Sequence, residues 1–78
     1  MTKFKAGSVI LNRLGSKPDE EVDREGIIVR HWRTPSRFHS GMVDNVDIYI
    51  TFDASWPTQM NKVVTHRGFK ESQWELKK

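Results

Sequence analysis

The clearest pattern in the chain is VDIYITFD, residues 46–53, where Val46, Ile48, Ile50 and Phe52 alternate with Asp47, Tyr49, Thr51 and Asp53. Successive side chains leave a strand on opposite faces, so this β-branched and aromatic run predicts a half-buried strand. GIIVRHW (26–32) is also β-rich and opens on a glycine, but three consecutive apolar residues, Ile27 to Val29, blur which side faces inward. SVILNRL (8–14) has the same character just after Gly7. KVVTH (62–66) predicts a short strand, and SQWEL (72–76) puts Trp74 and Leu76 on one side of another. No segment sustains a 3.6-residue period; Phe69 to Ser72 has room for one helical turn before the last strand.

Turn chemistry separates these segments. Gly15, Ser16, Lys17 and Pro18 leave the first strand; Pro35, Ser36, Ser40 and Gly41 break the middle; Ser55-Trp56-Pro57 ends the long strand, and Gly68 precedes the last. The breakers around Pro35 and Gly41 predict a long loop over about residues 34 to 45 between the second and third strands. The pattern yields a core of Val9, Leu11, Ile28, Val46, Ile48, Ile50, Phe52, Val63, Trp74 and Leu76. A chain of 78 residues has room for one domain, 1–78, with its core over about 4–76. A domain this small buries about 60% of its unfolded surface, so the core must be compact. Five short strands point to an all-β fold and a small five-stranded barrel, since a small open sheet leaves edges and one face uncovered.

Composition narrows the function. There is no cysteine, which removes disulfides, thiolate metal sites and cysteine nucleophiles and suits a reducing, cytoplasmic setting. No apolar run approaches the roughly 20 residues of a bilayer span, and the apolar run from Val9 to Leu11 is too short for a signal peptide, so no membrane role is expected. The net charge of +3 is modest but unevenly spread. Asp19, Glu20, Glu21, Asp23 and Glu25 crowd one stretch, and RHWRTPSRFHSG (30–41) follows with Arg30, Arg33, Arg37, His31 and His39 and no acid. No phosphate-binding glycine loop, HExxH or nucleophile elbow occurs, and His31, His39 and His66 lack the short spacings of metal ligands. The expectation is a non-enzyme with no cofactor, no catalytic residue and no metal site. Val46-Asp47-Ile48-Tyr49 is similar to the Val-Gln-Ile-Tyr segment of a plasmid-borne type of dihydrofolate reductase, itself a short barrel. Here a carboxylate replaces the glutamine, and the segment lies in the middle strand.

The order of these motifs resembles the SH3-like barrels of the KOW/Tudor type. Lys5-Ala6-Gly7-Ser8-Val9, Glu25-Gly26-Ile27-Ile28, the long alternating run Val46 to Asp53 and Ser72-Gln73-Trp74-Glu75-Leu76 carry the resemblance, which spans about Phe4 to Leu76. It implies an SH3-like barrel more than any activity. Two departures matter. KOW modules carry lysine and glycines in the first loop, where this chain has PDEEVDRE, which repels phosphate. The loop between the second and third strands is long for the type.

Two functional classes follow. In the first, the chain binds nucleic acid, DNA or RNA, through Arg30, Trp32, Arg33, Arg37, Phe38 and His39. Arginine forks match phosphate oxygens, and an exposed aromatic stacks on an unpaired base. Lys3, Lys5 and Lys62 are possible contributors. Trp32 has a competing place in the core, and Phe38 could instead pack down to pin the loop. In the second, the chain is a protein-interaction module, a peptide or host-protein binder, that uses Trp32, Tyr49 and Trp56 as an aromatic groove or cage. Oligomeric state is left open.

Overall fold

A computed structural model describes residues 4–14 and 21–77. They form one antiparallel sheet of five strands: β1 (Val9–Arg13), β2 (Val22–Pro35), β3 (Met42–Asp53), β4 (Val63–Arg67) and β5 (Glu75–Leu76). The spatial order is β4-β3-β2-β1-β5. The described residues contain no α-helix, only short 3₁₀ turns such as Pro57–Gln59 and Glu71–Gln73, the latter where one helical turn was expected. The fold is therefore all-β. β4 and β5 are the two edges, and no ladder joins them among the described residues, so the sheet is open.

The expected long loop over residues 34 to 45 does not exist. β2 continues through Thr34 and Pro35, β3 starts at Met42, and only residues 36–41 make the turn. Ser36 N–H donates to the Gly41 carbonyl at 3.0 Å, and Ser36 Oγ accepts the N–H groups of Phe38 and His39. Pro35 ends its strand beyond the reach of β1, at an edge where a missing N–H breaks no second ladder. The acidic stretch also changes character. Val22 to Glu25 lie inside β2, while Gly15 to Glu20, and the first-loop residues read there, fall outside the described residues.

Ile10, Ile28, Val46, Ile48 and Ile50 line the inner face of the sheet, and Phe4, Phe69 and Trp74 close over them. The Phe4 and Phe69 rings meet edge-on at 5.6 Å, and Phe69 lies 5.9 Å from Trp74. Leu11, Ile28, Val46, Ile48, Ile50 and Trp74 are buried as expected, and Val9 is half-buried. Phe52, Val63 and Leu76 are exposed instead. Two of these have a register cause. Glu25 faces Phe52 while Gly26 faces Ile50, so Thr51 is an extra residue in β3. A bulge of one residue reverses the side-chain parity beyond it, turning Phe52 out and Asp53 in. The pairing of Ile48 with Val64 puts Val64, not Val63, on the core side. Leu76 lies on a two-residue edge strand with no neighbour beyond it. A second bulge leaves Val29 unpaired between the Ile28/Ile48 and Arg30/Asp47 rows.

Gly26 leaves no room for a side chain between β2 and β3. A Cβ at this position would overlap the Ile48 side chain and sit 2.7 Å from the Tyr49 carbonyl oxygen. Only glycine allows this approach.

Candidate nucleic-acid interface

Residues directly opposed in an antiparallel ladder project from the same face. The registers therefore define rows on the outer face of the sheet. Ile27, Tyr49 and Val63 form one row; Arg30, Asp47 and Thr65 the next; then Trp32, Asn45 and Arg67; then Thr34 and Val43. β1 stops opposite Ile27 and β4 stops opposite Asn45, so the end of the β2–β3 hairpin runs past both neighbours as an arm.

This arm divides the predicted basic stretch into three parts. Arg30 and Trp32 share the outer face, with the guanidinium 4.3 Å from the centre of the indole. Trp32 is half-buried there and does not belong to the core cluster. Arg33 and His31 project from the opposite face and converge on Asp44, whose Oδ1 accepts Arg33 Nε at 2.9 Å and lies 3.1 Å from His31 Nε2. The Arg33 hydrogen bond, aided by His31 and opposed by partial burial, holds the Asp44 carboxyl below its ordinary value. Arg33 thus carries its own counter-charge. Arg37, Phe38 and His39 form the tip, where Phe38 is 95% exposed and packs down on nothing.

Arg67 was not among the candidates, yet it stands in the same outer row as Trp32. Alternation along β4 carried a faint signal, since Val63, Thr65 and Arg67 share a parity. Lys5 is exposed near the first turn, Lys62 lies just before β4 at the end away from the tip, and Lys3 is outside the described residues.

The structure does not bring Trp32, Tyr49 and Trp56 together. Tyr49 is two rows from Trp32, with Arg30 and Asp47 between, and its hydroxyl donates to Asn61 Oδ1 at 3.3 Å. Trp56 is exposed beyond the far end of β3, its N–H bound to Asp53 Oδ1. Asn45 to Asp53 spans on the order of 25 Å at about 3.3 Å per residue. No three-ring cage forms.

Sequence reasoning missed a second constellation entirely. Arg24 Nε donates to Asp53 Oδ2 at 2.8 Å, and Arg24 Nη1 lies 3.3 Å from His66 Nε2. The Asp53 side chain is wholly buried and that of Arg24 is 16% exposed. Burial, and then the Arg24 charge, push His66 below its ordinary value, so the ring is neutral and its Nε2 accepts. The ring meets Trp74 edge-on at 5.7 Å. Only the bulge at Thr51 turns Asp53 inward, which strict alternation hides.

Among the described residues no group of three histidines or carboxylates is placed to hold a metal ion, and no helix is long and apolar enough to cross a membrane. Comparison with protein-family models, curated proteins and solved structures finds no match to this chain.

Proposed function

We propose that this chain is a non-enzymatic, nucleic-acid-associated accessory protein that binds the phosphate backbone along the β2–β3 arm. The observation that carries this reading is the arm itself: a projecting hairpin whose tip holds Phe38, 95% exposed, between Arg37 and His39. Arg30 and Arg67 add charge on the outer face below the tip. Protruding cations reach phosphate oxygens, and an aromatic ring in water gains by stacking on a base. The strand order β4-β3-β2-β1-β5 supports an SH3-like, KOW/Tudor-type reading of the fold, with the contact moved from the first loop to the arm. A cytoplasmic setting without a cofactor belongs to the same reading.

The test is an amide chemical-shift titration with DNA at low and moderate salt. Shifts mapping to residues 30 to 41 and fading with salt are expected. Changing Arg30, Arg33 and Arg37 together to alanine should weaken binding similarly across sequences. It should also lower the log–log salt slope by about one unit per lost contact. Unchanged affinity in the triple variant rejects the phosphate model.

A second reading has its own observation. Ile27 and Val63 are exposed on either side of Tyr49, and the bulged Val29 is exposed nearby, which leaves an apolar band across three strands. Exposed apolar bands of this kind mark protein contacts. On that reading Tyr49→Ala abolishes partner binding while the arginine variants keep it.

A further inference from the structure

Below the tip lies a recess lined by Thr34, Pro35, Arg37, Phe38, Asn45 and Arg67. Two guanidinium groups line it and no carboxylate does. Asn45 is 1% exposed, and its Nδ2 is committed to Thr34 Oγ1 at 3.1 Å and the Val43 carbonyl at 3.3 Å. Those two bonds fix the amide in place. The recess therefore combines two cations, a solvent-exposed aromatic ring, a proline ring and a fixed, buried amide.

We infer that this recess is a subsite for one unpaired nucleotide of a single strand. The phosphate sits between Arg37 and Arg67, and the base lies on Phe38. The inference rests on the nucleic-acid reading above and adds to it a preference for single strands and a phosphate shared by Arg37 and Arg67. Two guanidiniums, one from the turn and one from β4, approach a phosphate as paired forks, and an aromatic face accepts any base. In a duplex each base is already stacked above and below, so its face cannot reach Phe38.

The experiment uses the whole protein and a fluorescent oligothymidine of roughly twelve nucleotides, set against a duplex of the same length. The single strand is expected to bind about tenfold more tightly than the duplex. Phe38→Ala should weaken single-strand binding about tenfold at an unchanged salt slope, because stacking releases no counterion. Arg67→Gln should weaken it with a slope lower by about 0.7. Lys62→Gln, an equal charge change away from the arm, should do little. All three variants alter exposed side chains, and a circular dichroism melt confirms that each is folded.

Equal binding of strand and duplex, with Phe38→Ala and Arg67→Gln both neutral, overturns the subsite while the backbone-binding reading stands. A phosphoserine peptide that binds as tightly as the strand overturns it in favour of a peptide ligand. Failure of both nucleic acids to bind at low salt removes the parent reading and the subsite with it.

Discussion

The two ends of the β2–β3 hairpin use arginine in opposite ways. At the base, Arg24 is enclosed with Asp53 and the neutral His66, and every charge has a partner. Towards the tip, Arg30 rests on Trp32, while Arg37 and Arg67 make no ion pair among the described residues. Arg33 stands between these extremes, paired with Asp44 but half in water. The same side chain thus maintains the fold where water is excluded and is available to a ligand where it is not. Burial makes the difference. Removing one partner of an enclosed pair leaves a charge without water, whereas an exposed pair contributes little because solvent screens it.

The comparison is broken most directly at the base. Asp53→Ala should cost about 3–5 kcal/mol, since it strands the Arg24 charge and removes the acceptor for Trp56 N–H. Urea denaturation measures this, and a loss below about 1 kcal/mol means that the pair behaves as a surface pair. Gly26→Ala should cost about 1–3 kcal/mol, because the new methyl group forces β2 and β3 apart.

His66 gives the base a pH signature. Its folded-state value lies below its ordinary value of 6.5, so the unfolded chain takes up the proton first. The stabilisation is complete above that ordinary value and is lost as pH falls towards the folded-state value. Thermal melts should show a midpoint that drops as pH is lowered through this window. His66→Phe should remove that part of the slope, and a slope left intact would assign it to other groups.

At the tip the expected effect on stability is smallest. Phe38→Ala should change stability by less than about 0.5 kcal/mol, because the ring is in water. A larger loss would show that Phe38 packs on something in solution and would weaken its role as a ligand contact.

Much of the fold was legible because strand periodicity is a local property. The runs around Val9, Ile27, Ile48, Val63 and Trp74 each became a strand or its immediate flank. The turn near Pro35 was legible too, but not its length, because prolines and serines mark where pairing is weakened and not where it stops. Phe4, Ile10 and Phe69 were missed as core residues. Phe4 and Phe69 belong to no strand and gain their burial from distant neighbours, so no periodicity points to them. In the candidate site, the basic segment and its aromatics were visible in the letters. Which of its residues take the outer face was not, because that depends on the bulge at Val29.

By itself, the sequence determined the all-β class, five strand segments, most of the inner face and a cation-rich stretch that carries two aromatics. Those features follow from side-chain alternation, turn residues and charge, all of which act over a few positions. Tertiary structure alone decided which arginines are spent on carboxylates, that Arg67 joins Trp32, and that Asp53 turns inward to meet Arg24 and His66. Each depends on the register between strands far apart in sequence. One extra residue at Thr51 or Val29 moves every later side chain to the other face.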